Sequence, residues 1–406
     1  MKKQFRGIAC ARLYTPREVL ENVLVLFNGS HIGEISPIVE RHDPDDIYDA
    51  RDAGLIVTPG LIEAHMHGCA GADFLDYTRE SLERISLTAA SGGASSVLAT
   101  TTIPTDDTSL ERFKGFAHLF RETLPLTLGS EEPSPLTGAR YLGLYLEGPF
   151  INPDKRGGFS ERFVNPVDLQ RAQRIVDICG DLLLKITISP EIRGAKELIQ
   201  LFLDALPGRI EISLGHSSAD YGTARRFFDM KHVRQVTHAF NTMTPLHHRE
   251  PGLIGAALLD DNVMLEAIPD GWHLCGPIIE LIYRMKGPRR TILITDGTAA
   301  TATSPGTPVK SVGGVTLVRN GAVRLRDGTL AGSNLLIAGA MDSAMKLGNI
   351  PFVHALEMCT LTPAASVNME TMIGSIEPGK LADFTVLHED CRVAAVIRDG
   401  ALIPYR

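Results

Sequence analysis

The sequence of 406 residues lacks the features of an exported or membrane-bound protein. Its six cysteines are scattered without any CxxC pair, which argues against a disulfide framework and against a cysteine zinc site. The N-terminal segment carries two lysines, but arginine and tyrosine interrupt its apolar stretch, unlike the core of a signal peptide. No apolar run approaches the roughly 20 residues that a membrane span needs. We therefore expect a reduced, cytoplasmic protein without a membrane partner.

A sustained basic block is also absent, and the formal net charge at pH 7 is −8. Both features argue against nucleic acid as the main partner. Any preference for an anionic ligand must therefore come from a few local side chains. The hydrophobic content of 44% allows one large core. About 250 residues would suffice for a barrel of alternating strands and helices, which leaves enough chain for a smaller second unit.

Eight short apolar segments alternate with longer amphipathic stretches in the middle of the chain. They cover residues 61–67, 94–102, 141–147, 182–189, 210–216, 233–238, 263–269 and 291–296. The stretches between them, such as 79–90 and 219–230, carry apolar residues at the spacing of a helix with one buried face. Eight strands that alternate with helices predict a (β/α)8 TIM-type barrel, which we assign to residues 59–359.

Both ends of the chain are rich in β-like segments. Runs at 23–27 and 31–35 flank the turn-forming pair Asn28-Gly29, and the C-terminal segments alternate with tight turns. Neither end alone has enough strands to bury a face. We therefore predict that residues 1–58 and 360–406 form one small composite β-sandwich domain. We also expect a helix at 335–347 and a mobile loop at 301–314, which is rich in Thr, Gly, Pro and Ser.

Polar residues end or immediately follow five of the barrel segments. In a (β/α)8 barrel the active site is built from side chains at the C-terminal ends of separate strands, so this repetition predicts one converging site. The residues are His65, His67, Glu147, His216, His238 and Asp296.

The imidazoles and the glutamate have the pattern of a metal site. His65 and His67 alternate on a strand and can face one ion together. Glu147 ends a run that is too apolar to be exposed, so its carboxylate needs a metal or a salt-bridge partner. His216 and His238 are separated by one helix and one strand, which places them side by side. Such a set suits Zn²⁺ or a similar divalent ion, although core histidines and a structural salt bridge are alternatives.

Two further residues have the chemistry of catalytic groups. Asp296 can take a proton from water whose pKa a nearby ion has lowered, and can pass it to a leaving amine. Its alternative is a helix N-cap before Thr298. His273 can hydrogen-bond a scissile carbonyl oxygen or a sugar hydroxyl, and a purely structural histidine is its alternative.

Seven segments, in this order along the chain, resemble the N-acetylglucosamine-6-phosphate deacetylase family of the amidohydrolase superfamily. They are PGLIEAHMHGCAGADF, YLEGPFINPDKRGG, LGHSSAD, THAFNTMTPLHHREPGLIGAAL, DGWH, ITDG and DGTLAGSNL. The later segment IGSIEPGKLADFTVL is similar to a C-terminal β-segment that many amidohydrolases share. The resemblance implies a metal-dependent enzyme of amino-sugar metabolism that hydrolyses the linear N-acetyl amide of N-acetylglucosamine 6-phosphate to glucosamine 6-phosphate and acetate.

Carried over by position, the resemblance implies a role for each candidate residue. Glu147, His216 and His238 would hold the main metal, and His65 and His67 a second one. One or two ions are therefore expected, with Zn²⁺ as the first choice and Fe²⁺, Mn²⁺ or Co²⁺ as alternatives.

Asp296 would be the acid/base, and His273 would be a second catalytic residue that contacts the substrate. Arg249 would bind the sugar phosphate, because the planar donors of arginine match phosphate oxygens. The resemblance also implies a homodimer, and in some members of the family this arginine acts across the dimer interface. The expected substrate-binding residues are Gly158, Phe159, Asn241, Thr242, Arg249, His273, Leu330, Ala331 and Gly332.

Two departures leave the substrate open. Gly158-Phe159 stands where the family usually has a small residue and a histidine, and Thr242 replaces a usual alanine. An N-acetylgalactosamine 6-phosphate deacetylase is therefore an alternative. A second is a cyclic-amide hydrolase with a carboxylated lysine, for which Lys185 is the one candidate, and a third is a non-enzymatic scaffold that kept the barrel.

Overall fold

A parallel eight-stranded sheet lies at the centre of the computed structural model, which describes residues 3–15, 18–38, 46–124 and 135–404. Its strands pair in chain order and correspond one by one to the eight predicted segments. They are β6 (Leu61–Met66), β9 (Ala94–Thr101), β10 (Arg140–Glu147), β11 (Leu183–Ile188), β12 (Glu211–Leu214), β13 (Val233–Val236), β14 (Met264–Ala267) and β15 (Thr291–Leu293).

The chain that follows β15 closes this sheet into a barrel. The Asp296 backbone N–H donates to the His65 carbonyl over 2.9 Å, and the His67 N–H donates to the Gly297 carbonyl over 2.7 Å. Helices pack around the barrel, as the amphipathic stretches predicted. They are α1 (Arg79–Ser91), α2 (Asp107–Arg121), α3 (Leu169–Cys179), α4 (Ala195–Ala205), α5 (Tyr221–Phe228), α6 (Gly252–Leu259), α7 (Gly276–Lys286), α8 (Ile337–Gly348), α9 (Phe352–Cys359) and α10 (Leu361–Ala365). The (β/α)8 barrel is confirmed.

Polar side chains cap the N-termini of several helices and thereby define where each helix begins. Thr78, Asp106 and Asp220 each accept a hydrogen bond from a backbone N–H in the first turn of α1, α2 and α5. Such caps satisfy donors that a helix start leaves unpaired, at about 1 kcal/mol each. Among the residues described, no helix is long and apolar enough to cross a bilayer.

The two ends of the chain share a second eight-stranded sheet. Its strands are β1 (Gly7–Tyr14), β2 (Val19–Asn28), β3 (His31–Pro37), β4 (Ile47–Ala50), β5 (Leu55–Pro59), β20 (Phe384–His388), β21 (Val393–Arg398) and β22 (Ala401–Leu402). Two strands, β1 and β5, separate β2 from β20 in the sheet, yet the rings of Phe27 and Phe384 stack at 5.4 Å. The sheet must therefore fold onto itself, which confirms the small sandwich built from both termini.

The limits assigned to the two domains stay predictions. After α10, Val367 and Ile373 pack with residues in the barrel, whereas Ile376 and Ala382 pack in the terminal sandwich. Residues 360–383 thus contact both units. A buried ion pair joins the units as well, because Arg140 of β10 donates to Asp383 Oδ1 over 2.8 Å.

Residues 309–333 form a small antiparallel sheet that the sequence analysis did not predict. Its strands are β16 (Val309–Ser311), β17 (Gly314–Arg319), β18 (Ala322–Leu325) and β19 (Leu330–Ser333). The interpretation of 301–314 as a loop is therefore wrong at 309–311 and at Gly314. These strands are short and are stabilised by pairing with one another, so their own sequences carry little alternation. A further short hairpin follows β6, with strands β7 (Gly68–Cys69) and β8 (Ala72–Asp73).

Candidate active site

The structure brings the predicted strand-end residues together at the C-terminal mouth of the barrel. Glu147 is the last residue of β10, and His216 and His238 follow the neighbouring strands β12 and β13. His216, His238 and Asp296 have positive φ values of 48°, 29° and 48°. Residues other than glycine rarely adopt this backbone conformation, and such strain is typical of functional positions.

Glu147 lies at the centre of the cluster. Its Oε2 atom lies 2.8 Å from His67 Nε2, and its Oε1 atom lies 3.0 Å from His216 Nε2 and 2.8 Å from His238 Nε2. His216 and His238 also approach each other, with their Nε2 atoms 3.1 Å apart. One buried carboxylate thus faces imidazoles on both sides, and this is the arrangement of a ligand that two metal positions can share.

Asp296 and His65 complete the cluster. Asp296 Oδ1 lies 3.6 Å from the Nε2 atoms of both His65 and His67. The His65 Nε2 atom is fully buried and has no hydrogen-bond partner among the described residues. A buried nitrogen without a partner is costly unless a ligand completes it.

Two groups of side chains present ligand atoms that all lie within 4.8 Å of one another. The groups are His65, His67, Glu147 and Asp296, and Glu147, His216 and His238. Imidazole nitrogens with carboxylate oxygens form a donor set that suits Zn²⁺ and other first-row divalent ions. The residues present therefore fit one or two metal ions.

The charges in the cluster favour an ionised Glu147. Burial opposes its ionisation, but the surrounding His65, His216 and His238 outweigh this effect and hold the pKa of Glu147 well below its usual value. Burial likewise opposes protonation of His65, yet the carboxylates of Glu266 and Glu147 raise its pKa well above the usual value. The site is thus an anionic centre that attracts positive charge, whether protons or a metal ion.

Beneath the cluster lies an ion pair that the sequence analysis missed. Glu266 of β14 accepts a hydrogen bond from the His65 side chain, with Nδ1 and Oε2 2.9 Å apart, and another from the His238 backbone N–H over 3.2 Å. Its other oxygen binds the Lys185 ammonium group. The signal was present, because Glu266 sits in a buried apolar strand as Glu147 does. Lys185 itself is fully buried and does not line the cavity described below.

Glu266 is expected to orient His65 for metal binding. A carboxylate that accepts the second N–H of a ligand imidazole fixes the tautomer and the orientation of the ring. In Glu266→Gln, a single amide oxygen must serve both Lys185 and His65. We expect metal affinity at the group that contains His65 to fall by about 10- to 100-fold, as measured by metal titration and metal content.

The control for this variant is Glu211→Gln, because Glu211 is a buried carboxylate of β12 that pairs with Arg234 and His232 away from the cluster. Thermal unfolding of both variants separates loss of metal from loss of stability. Equal metal affinity in Glu266→Gln and in the unmodified protein would contradict the positioning role.

A cavity of about 290 Å³ opens over the cluster. Nearly all of the residues predicted to bind substrate line it. These are Gly158, Phe159, Asn241, Thr242, His273, Leu330, Ala331 and Gly332, together with His67, Glu147, His216, His238 and Asp296. His65 is the exception among the metal-ligand candidates, since it lies beneath this lining. The small antiparallel sheet of residues 309–333, here called the inserted sheet, contributes to the cavity wall through β19.

His273 is held in a fixed orientation within the cavity. Its Nδ1 atom lies 2.7 Å from Asp270 Oδ2, and the backbone N–H groups of Trp272 and His273 donate to Asp270 Oδ1. The Nε2 atom is thereby left as the group available to a ligand. Asp270 was not among the predicted site residues, although its spacing of three residues from His273 in PDGWH was visible in the sequence.

Phe159 forms an apolar wall next to the metal-ligand candidates. Its ring centroid lies 5.5 Å from that of His216 and 6.0 Å from that of His67. Gly157 makes the adjoining loop fit, because a Cβ atom there would lie 2.5 Å from Thr242 Cγ2. Thr242 thus packs directly against this loop and also lines the cavity.

Arg249 is the one predicted substrate-binding residue that the structure does not bring into the cavity lining. It is exposed, and its Nη1 atom lies 2.7 Å from Nε2 of His248. Its role in binding phosphate stays a prediction.

The barrel, with imidazoles and carboxylates clustered at its strand ends, is that of an amidohydrolase, and a model of the amidohydrolase family matches residues 313–403. The chain is 32% identical over 373 residues to N-acetylglucosamine-6-phosphate deacetylase of Vibrio furnissii, covering 91% of this chain and 88% of that protein. It belongs to the N-acetylglucosamine-6-phosphate deacetylase family.

Two further relatives match this chain over most of its length. The crystal structure of N-acetylglucosamine-6-phosphate deacetylase from Pasteurella multocida is similar with a TM-score of 0.85 and 28% identity, over 97% of this chain and 98% of that chain. An N-acetylgalactosamine-6-phosphate deacetylase of Escherichia coli O157:H7 is 30% identical over 355 residues, which are 87% of this chain and 89% of that protein. The likeness therefore extends over both the barrel and the terminal sandwich.

Proposed function

We propose that this protein removes the N-acetyl group from N-acetylglucosamine 6-phosphate and releases glucosamine 6-phosphate and acetate. The observation that carries the proposal is the position of Asp296 beside the histidine and glutamate cluster, at the base of a cavity that His273 also lines. Amide hydrolysis needs an activated water, a stabilised carbonyl oxygen and a proton for the leaving amine. Residues suited to each task face the same space.

Glu147, His216 and His238 would hold the main metal ion, and His65 and His67 with Asp296 would complete a second position. Zn²⁺ is the first choice, with Fe²⁺, Mn²⁺ or Co²⁺ as alternatives. When bound, the ion polarises the carbonyl group of the substrate and lowers the pKa of a nearby water.

Asp296 serves as general base and then as general acid. Its carboxylate is 16% exposed, so it reaches the cavity while its backbone is fixed by the hydrogen bond to His65. It accepts a proton from the attacking water and delivers that proton to the amine nitrogen as the C–N bond breaks. His273 donates from Nε2 to the carbonyl oxygen or to a sugar hydroxyl, because Asp270 occupies its Nδ1 atom.

The remaining cavity residues hold the sugar. Asn241 and Thr242 supply polar groups, and Phe159 with residues 330–332 supplies apolar and small surfaces. Arg249 would bind the 6-phosphate from a partner subunit of a homodimer, since in one chain it lies outside the cavity lining. The reaction would take place in the cytoplasm.

N-acetylgalactosamine 6-phosphate is the alternative substrate. Phe159 supports this alternative, because the family usually has a histidine at this position. A histidine can donate a hydrogen bond to a sugar hydroxyl group, whereas a phenyl ring cannot, so the contacts that distinguish the two sugars differ. A cyclic-amide hydrolase with a carboxylated Lys185 is disfavoured, because the Lys185 ammonium group is bound to Glu266 outside the cavity.

The test compares acetate release by the metal-loaded protein from three compounds: N-acetylglucosamine 6-phosphate, N-acetylgalactosamine 6-phosphate and unphosphorylated N-acetylglucosamine. We expect kcat/KM to be highest for the first and much lower without the phosphate. A preference for the second compound would establish the galacto alternative. The absence of acetate from all three, with metal bound, would refute the proposed reaction.

A further inference from the structure

A second cavity, of about 180 Å³, adjoins the catalytic cavity on the rim of the barrel. Ser311 of β16 lines both cavities. Phe163 of the second cavity packs against Phe159 of the first, with ring centroids 6.4 Å apart. Its walls come from segments that follow β8, β9 and β10 and from the inserted sheet. None of the catalytic roles proposed above uses it.

Three cationic side chains line this second cavity. They are Arg112 of α2, Arg162 of the segment after β10 and Lys310 of β16. Among the described residues, none of the three forms an ion pair with a carboxylate. Exposed arginines and lysines usually gain little from pairing. Their convergence from three separate elements on one small cavity is the feature that requires an explanation.

Aromatic rings orient the two arginines. The Arg112 guanidinium lies 5.8 Å from the ring centroid of Tyr77, and that of Arg162 lies 4.6 Å from the ring centroid of Phe163. Contact with an aromatic ring orients a guanidinium group but leaves N–H donors free at its edge. Those donors match the spacing of phosphate oxygens.

Tyr77 provides an independent observation. Its hydroxyl group is buried without a hydrogen-bond partner among the described residues, and the residue lines the cavity. Its φ of 57° is unusual for a bulky side chain, and such strain occurs at functional positions. An oxyanion in the cavity would satisfy this hydroxyl group as a donor.

Two carboxylates also line the cavity. Local hydrogen bonds engage Asp76 and one oxygen of Asp73, whereas Asp73 Oδ2 is buried without a hydrogen-bond partner among the described residues. Asp76 Oδ2 accepts from the Asp73 N–H over 2.9 Å and from Ser81 Oγ over 2.7 Å. Asp73 Oδ1 accepts from the Leu75 N–H over 2.9 Å. Asp73 and Asp76 thereby cap the short turn at the cavity floor, and three cations remain against two carboxylates.

We propose that this cavity is a second anion-binding site, which takes a phosphate group either as inorganic phosphate or as part of a sugar phosphate. Arg112, Arg162 and Lys310 supply the positive charge, and Tyr77 supplies a neutral donor. Lys310 belongs to the inserted sheet, whereas the arginines belong to the barrel rim. A bound phosphate group therefore links the sheet to the rim beside the catalytic cavity. The site does not depend on the reaction proposed above.

Calorimetric titration of the full-length, metal-loaded protein with inorganic phosphate, glucosamine 6-phosphate and glucosamine tests this site. We expect Arg112→Ala and Arg162→Ala each to weaken phosphate binding by roughly tenfold or more, because each removes a charge-assisted donor. Tyr77→Phe keeps the ring beside Arg112 and should weaken binding by about threefold. Phosphate bound in the catalytic cavity would not respond to Arg112 or Tyr77, so these variants report on the second cavity alone.

Lys114→Ala is the matched control, since Lys114 is exposed on α2 two residues from Arg112 but does not line this cavity. If Lys114→Ala and Arg112→Ala lost the same affinity for phosphate, the loss would reflect the net charge of the protein and not this cavity. That result would overturn the proposal. Phosphate binding that is absent, or that none of the cavity variants changes, would overturn it as well. If the proposal holds, a larger loss of affinity in Arg112→Ala for glucosamine 6-phosphate than for inorganic phosphate identifies a sugar phosphate as the ligand of this cavity. Equal losses for the two compounds identify the free anion.

Discussion

Replacement of Asp296 by asparagine is expected to lower kcat by about 10²- to 10⁴-fold while the group of Glu147, His216 and His238 keeps its metal. Asparagine has nearly the same shape but cannot accept the proton from the attacking water or return it to the leaving amine. The Asp296 backbone hydrogen bond to His65 is unaffected by the change, so the barrel should close as before. Steady-state kinetics with N-acetylglucosamine 6-phosphate, together with metal content, measure the effect.

Asp229→Asn serves as the matched control, because Asp229 is exposed at the end of α5, away from the cavity lining. It should retain full turnover. If Asp296→Asn turned over at nearly the normal rate with intact metal, Asp296 would not be the acid/base.

Replacement of Glu147 by glutamine is expected to abolish metal binding at both groups and to lower kcat/KM by at least about 10³-fold. Both oxygens of Glu147 contact imidazoles, Oε2 on the side of His67 and Oε1 on the side of His216 and His238. Glutamine offers one neutral oxygen in place of two charged ones. Metal content after dialysis and acetate release measure the effect.

His67→Asn provides the comparison, because His67 belongs to only one of the two groups of ligand candidates. Its metal content should fall by no more than one ion, and the group with His216 and His238 should stay occupied. A Glu147→Gln protein that still bound two ions would show that Glu147 is not a shared ligand. A change in its thermal unfolding once metal is removed from both proteins would indicate a structural contribution instead.

Local patterns in the sequence predicted most of the barrel and of its mouth. The eight strand segments were visible because each strand is buried and flanked by turns, and buried strands of a parallel sheet are continuously apolar. The histidines, Glu147 and Asp296 were visible for a related reason, since a polar residue at the end of an apolar run is unusual. Glu266 escaped attention because the resemblance assigns no ligand there, although the same reasoning applies to it.

The inserted sheet of residues 309–333 and the second cavity could not be predicted in this way. The strands of the sheet are three to six residues long, and their stability comes from one another. Arg112, Arg162 and Lys310 are ordinary surface cations in the sequence. Their grouping depends on how a helix, a strand and a loop meet.

The sequence by itself thus determined the class of the barrel and the residues at its catalytic mouth, because strand burial and strand ends are local properties of the chain. Tertiary structure alone decided that Lys185 supports His65 through Glu266 and that Arg249 stays outside the cavity lining of its own chain. It also decided that three cations share one cavity. These relations join residues that lie tens to hundreds of positions apart, and only the packing of strands and loops brings such residues together.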